Sequence, residues 1–484
     1  MESLEKGIVI TMNAGKKNRI ISLMMAVMLL VTGCGSGAQP ETGPADANTQ
    51  SEQDMIQQSI FGRGDDFGAL LVSQGIELPV SAAKIFVNQA GYISDRDKKA
   101  MFLGEQTGNT FRVINQADKT VVYTGRIEKG RLDELSGSYL CEGDFSKVTQ
   151  SGTYYIETDI VGQSYPFRIV QDGYENMFVG MLRNVREVPL TESAQGVCDI
   201  SFGMHAIMYA MQCNGALFEE AYQYFAEDEK DKQLVTQLLY FASWLMAHQS
   251  ADGSLYGDYE ATAAFCGIMV MTRDMFGRYE ASVSKEYQEA SKKAWEWLEK
   301  QNCDTDGRKS ARFYAASQLF KAEYSDEYKK LAEDFLREKK ADYSTERFVF
   351  YGVTAYVSAD KNTDRDLCTH IMKDLVDQNE LAGNEAQNDD FFGTGKRTVY
   401  NNLYNMLLIS FINYITPSKE YTEIIENTIQ YMGGLNENGV CYIDEGGVWK
   451  ELSETADRNL EWNGILLFGM SDMLKNLIDI EKNW

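Results

Sequence analysis

The sequence predicts a multidomain chain: an N-terminal all-β sandwich, then an all-α domain of helical hairpins. Three observations carry this. Apolar and polar residues alternate with period two from about Lys84 to Val170. After Tyr174 the apolar residues recur at helical spacing instead. The chain has 484 residues, 44% of them hydrophobic, which is too long for one ordinary domain and enough to fill more than one core.

The first segment reads as an address. Lys16, Lys17 and Arg19 precede an apolar run from Ile20 to Val31, broken only by Ser22, too short to span a bilayer but of the length of a signal-peptide core. The run ends in Leu30-Val31-Thr32-Gly33-Cys34. Residues 1–33 are therefore expected to be a signal peptide. Residues 34–82 follow as a flexible tether, because Gly35 to Gln58 holds almost no apolar side chains to offset its ordering entropy.

The strand region spans 83–172. Its runs are Ile85 to Gln89, Phe111 to Ile114, Thr120 to Gly125, Gly152 to Glu157 and Tyr165 to Val170. Short alternating strands bounded by turn residues pack as two sheets. The helical region spans 175–484. Tyr287, Ala290, Ala294, Trp297 and Leu298 fall on one helix face, as do Ile424, Ile425, Thr428, Ile429 and Met432. Similar stretches recur at 203–225, 231–248, 261–276, 310–321, 325–337, 364–378, 399–415 and 464–480. About a dozen helices fit this length. Antiparallel hairpins of this kind close into a toroid or run on as a solenoid, and periodicity does not choose between them.

Composition narrows the function classes. With 46 Lys+Arg against 72 Asp+Glu the net charge is −26, so phosphate backbones are repelled and nucleic acid is excluded as a partner. Cys141, Cys198, Cys213, Cys266, Cys303, Cys368 and Cys441 are widely spaced, with no CxxC, which indicates neither a zinc site nor a disulfide framework. His205, His248 and His370 are the only histidines, so no metal site is expected from them.

The Cys34 segment resembles the lipobox of bacterial lipoproteins. The resemblance implies export, lipidation at Cys34 and a membrane contact through that anchor at the outer face of a bacterial cell membrane. Ile85-Phe86-Val87-Asn88-Gln89-Ala90-Gly91-Tyr92, Val122-Tyr123-Thr124-Gly125, Asp144-Phe145-Ser146 and Gly152-Thr153-Tyr154-Tyr155-Ile156 resemble the cellulase N-terminal immunoglobulin-like domain. Further on, three segments resemble the catalytic domain of glycoside hydrolase family 9. They are Phe241 to His248 with Asp252-Gly253, Gly393-Thr394-Gly395 through Asn401-Asn402, and Tyr431 to Gly439. The resemblance implies an immunoglobulin-like sandwich followed by an (α/α)6 barrel. It also implies a β-1,4-glucan or related polysaccharide or oligosaccharide as partner, and inverting hydrolysis that needs no cofactor. Calcium is a structural option for the family, and Asp304-Asp306 and Asp389-Asp390 could ligate it.

Inverting hydrolysis needs one carboxyl group to protonate the leaving oxygen and another to deprotonate water, roughly 6.5–9.5 Å apart. In the family the base is the second aspartate of an Asp-Ala-Gly-Asp motif. The counterpart here is Asp199-Ile200-Ser201-Phe202, so Asp199 matches the first aspartate and Phe202 stands at the base position. Asp199 could substitute as base, or serve only as a helix N-cap or first-turn carboxylate. The family's acid aligns with Asp457, six residues before Asn463, with Glu454 and Glu461 in reserve. Asp457 and Glu461 would share a helix face. The histidine loop of the family is missing between Cys441 and Glu454. Trp462, Tyr259 and Phe392 are the leading aromatics for stacking on sugar, with Tyr256, Phe391 and Tyr400 behind them. A hydrolase with an altered acid/base pair is the first reading. An inactive glycan-binding lipoprotein and a structural lipoprotein with a closed cleft are the alternatives.

Overall fold

The computed structural model describes residues 85–104, 107–128, 130–133, 138–222, 233–277, 281–339, 346–388, 398–443 and 460–482. The expected signal peptide, tether and Cys34, together with Phe391, Phe392, Asp389, Asp390, Glu454 and Asp457, lie outside the described residues.

The chain divides into two compact units, one of them made within the strand region. Its strands are β1 (Ile85–Phe86), β3 (Lys99–Leu103), β4 (Thr110–Asn115), β5 (Val121–Arg126), β6 (Arg131–Asp133), β7 (Ser138–Asp144), β8 (Gly152–Thr158), β9 (Gly162–Gln163) and β10 (Phe167–Val170). One sheet has the order β1-β3-β7-β6, and the other runs β10-β8-β4-β5 with β9 on β8. The described pairings are antiparallel, with Phe102 opposite Cys141 in the first sheet and Val113 opposite Ile156 in the second. Phe102 of β3 meets Phe111 of β4 at 5.5 Å between ring centroids, which joins the two inner faces. This is the expected sandwich. The strand β7 was not foreseen because Ser138 to Asp144 carries Gly143 and two acidic residues, weak strand formers whose place is fixed by pairing with β3. Residues 88–94, which hold the short strand β2 (Tyr92–Ile93), group with the helices instead.

The second unit is helical. Its described helices are α1 (Gly173–Asn184), α2 (Ala194–Cys213), α3 (Gly215–Tyr222), α4 (Leu234–Ala247), α5 (Tyr259–Phe276), α6 (Ala281–Leu298) and α7 (Asp306–Glu323). They continue as α8 (Asp326–Glu338), α9 (Arg347–Val357), α10 (Arg365–Asn388), α11 (Val399–Ile415), α12 (Lys419–Met432) and α13 (Leu460–Lys482). Six of them, α2, α5, α7, α9, α11 and α13, are buried nearly all round, which marks helices of an interior. Each packs on the next: α2 on α5, α5 on α7, α7 on α9, α11 on α13 and α13 back on α2. Phe350 of α9 and Phe411 of α11 close the ring at 5.9 Å. The partners α1, α4, α6, α8, α10 and α12 lie outside this ring, and α8 shows why: only Ala332 and Leu336 of it are buried. Periodicity left toroid and solenoid open; the closed ring is the (α/α)6 barrel.

Aromatic rings fill the barrel. Phe202 of α2 stacks on Tyr351 of α9 at 5.4 Å and meets Tyr314 of α7 at 5.3 Å. His205, one turn on, lies 4.2 Å from the Tyr351 ring and contacts the Tyr314 hydroxyl at 3.1 Å.

Candidate functional site

The inner helices all run the same way round, so their N-termini share one end of the barrel, and the candidate side chains gather there. Helix α2 starts at Ser193, whose hydroxyl accepts the Gly196 N–H. Asp199 therefore stands in the second turn of α2, neither N-cap nor first-turn residue. Helix α13 places Glu461 second in its described span. Gly203 of α2 and Gly464 of α13 let these two helices touch, since a Cβ on Gly464 would lie 2.6 Å from the Gly203 carbonyl oxygen. Helix α11 starts at Thr398, whose side chain accepts the Asn401 N–H, and it presents Tyr400 and Tyr404.

Arg347, the first residue of α9, ties these elements together. Its Nη1 donates to Asp199 Oδ1 at 3.1 Å and to Glu461 Oε2 at 3.0 Å. Gln195 Nε2 donates to the same Asp199 oxygen at 2.7 Å. The Tyr404 hydroxyl donates to Glu461 Oε1. The guanidinium lies over the Phe202 ring at 5.2 Å and near Phe348 at 5.9 Å. A cation at a helix N-terminus opposes the macrodipole. Two carboxylates are what hold this one there.

Burial sets the charges. It drives the Glu461 carboxyl above its ordinary 4.5, while Arg347 and the Tyr404 hydroxyl pull it back. Burial also opposes the Arg347 charge, but the Glu461 and Asp199 carboxylates outweigh it and keep the guanidinium firmly protonated. Burial pushes the neighbouring Cys198 thiol up to about 12, which makes it an inert neutral group.

The sequence-derived candidates separate under this geometry. Asp199 and Glu461 come together on one arginine. Glu461 is a buried anchor, with its side chain only 4% exposed. Asp457 and Phe392 lie outside the described residues. Trp462 follows Glu461 on α13 and is half-buried. Tyr259 does not offer a face to a ligand: it is 2% exposed, between the Trp297 ring and the Arg308 guanidinium. Two exposed aromatics stand at this barrel end. Tyr400 stacks on Tyr404 at 4.5 Å, and Tyr256 precedes α5 and stacks on His248. Among the described residues no group of three or more His, Cys, Asp or Glu is placed to hold a metal ion.

Sequence reading missed Arg347. No helix was expected over Arg347-Phe348-Val349-Phe350-Tyr351-Gly352-Val353, whose β-branched and aromatic residues read as neither period. The available signal was a charged residue opening an otherwise apolar run.

The chain is similar to known proteins over most of its length. Residues 80–163 match the family described as cellulase N-terminal ig-like domain. Endoglucanase D of Acetivibrio thermocellus is 22% identical over 522 residues, covering 84% of this chain and 83% of the relative. A cellodextrinase of Butyrivibrio fibrisolvens is 35% identical over 95 residues, 19% of this chain and 16% of its own. A metagenome-derived glycoside hydrolase family 9 endoglucanase superposes with TM-score 0.65 at 15% identity, over 81% of this chain and 99% of that one. AaCel9A, solved with cellobiose-like isofagomine, superposes with TM-score 0.61 at 15% identity over 81% of this chain and all of its own.

Proposed function

We propose that this glycoside hydrolase family 9-like chain, cellulase-like with an N-terminal immunoglobulin-like domain, acts on β-1,4-linked glucan or a related cell-wall polysaccharide by inverting hydrolysis with an altered acid/base pair. The observation that carries the reading is the meeting of Asp199 and Glu461 on Arg347 at one barrel end, beside exposed Tyr400. The endoglucanases that share the fold support the substrate class.

The roles follow from access and charge. Asp199 is the more exposed carboxylate and takes the proton of the attacking water. Glu461 is too deep to meet a glycosidic oxygen and already bonds Arg347 and Tyr404. Asp457, at the acid position of the motif, protonates the leaving oxygen. Tyr400 offers a flat face for a sugar ring.

Phe202 favours a second reading. At the position of the usual base it is fully buried against Tyr351 and cannot accept a proton. A barrel so altered binds oligosaccharide without cutting it. Reducing-sugar release from carboxymethylcellulose, xyloglucan and mixed-linkage glucan separates the two. Hydrolysis lost in Asp457→Ala and in Asp199→Asn supports the first reading. Saturable oligosaccharide binding with no release by the wild type supports the second, and no glycan binding removes both. We propose further that the chain is exported and held at the outer membrane face by lipid on Cys34. Membrane fractionation of Cys34→Ser tests this, since persistent association of the variant would contradict it.

A further inference from the structure

We propose that Arg347 is the positioning residue of this site, a clamp anchored from behind on Glu461 and Tyr404 that sets the place and ionisation of Asp199. The inference rests on the hydrolase reading above but adds a residue and a role to it.

The contacts run in one line. Tyr404 of α11 donates to Glu461 of α13, Glu461 accepts from Arg347 of α9, and Arg347 donates to Asp199 of α2. Four inner helices thus meet through four side chains. The Glu461 side chain is 4% exposed, against 20% for Arg347 and 15% for Asp199. The anchored end is deep and the working end is near solvent. Rotation of the guanidinium is restricted by Phe202 and Phe348. Phe202 therefore has a use at the place where an acid was expected: it is the surface on which the arginine rests.

Among the described residues, the titratable groups facing the guanidinium are few. Helix α2 brings Cys198 and Asp199, α11 brings Tyr400 and Tyr404, α13 brings Glu461, and α9 itself brings Tyr351. The thiol and the phenols there are held neutral by burial. Arg347 is thus the counter-charge to both carboxylates. A cation beside a carboxylate favours its ionised form, as a general base requires. Losing it also leaves two like charges close together, which drives a proton onto one of them.

The experiment uses the full chain with Arg347→Met, Arg347→Lys and Glu461→Gln, and two readouts. The first is the pH profile of sugar release from carboxymethylcellulose. Arg347→Met is expected to lower kcat by ~100-fold with a smaller change in KM, and to move the acid limb to higher pH. Arg347→Lys restores part of both, whereas Glu461→Gln removes a like charge from beside Asp199 and moves the limb to lower pH. An unshifted limb in a folded Arg347→Met protein overturns the clamp. The second readout needs no substrate. Thermal midpoints of Asp199→Asn, Arg347→Met and the double variant are compared. The double variant should lose no more than the worse single one, because both remove one contact. Additive losses overturn the clamp. If the wild type releases no sugar yet the midpoints are non-additive, the hydrolase reading fails and the clamp stands.

Discussion

At the scale of single residues, Phe202 and His205 decide what the barrel interior can do. Phe202 is fully buried among Tyr314, Phe348 and Tyr351. Phe202→Ala should cost ~3–5 kcal/mol in chemical denaturation, as expected for truncating a buried aromatic. A cost near zero would mean that the ring is not packed as described. His205 is buried, and desolvation holds its pKa well below 6.5. It stays neutral in the fold, while in the unfolded chain it takes up a proton near 6.5. A group with a depressed folded pKa that charges only on unfolding draws the equilibrium toward the unfolded state in acid. Its contribution is complete above 6.5 and declines as the pH falls below that value. The thermal midpoint of the wild type should therefore fall more steeply below pH 6.5 than that of His205→Asn, and equal slopes would exclude this role.

At the scale of elements, the site depends on how closely α2 and α13 approach. A Cβ at Gly203 would run into the Leu460 backbone, immediately before Glu461. Gly203→Ala should cost ~1–3 kcal/mol by overpacking and should weaken the site more than its stability cost alone explains. The comparison is between the midpoint and oligosaccharide binding of the same protein. Elements with clear punctuation were legible in sequence. Helix α11 was expected at 399–415 and is found at Val399–Ile415, set by its Thr398 cap and its recurring apolar residues. Helix α9 was not legible, because a helix buried on every side carries no amphipathic stripe. Helix α2 begins nine residues before its expected start at 203, because Gln195, Gly196 and Asp199 hide the apolar face. That displacement moved Asp199 from a capping position into the helix body.

At the scale of the whole molecule, no disulfide is present among the described residues, and five of the seven described cysteines are buried. For a chain proposed to be exported, stability then rests on the two cores and not on cross-links. The thermal midpoint should be the same with and without reductant. A fall on reduction would reveal a disulfide.

The sequence by itself determined the order of the two folds and the family resemblance, because strand and helix periods and turn residues are local properties of the chain. It also brought forward Asp199 and Glu461, since acidic side chains at motif positions are visible without coordinates. Only the tertiary structure decided that the helices close into a ring, that Tyr259 is core, and that Arg347 joins the two carboxylates. The last of these depends on residues 114 and 148 positions apart meeting through shared burial, and no local pattern encodes such a meeting.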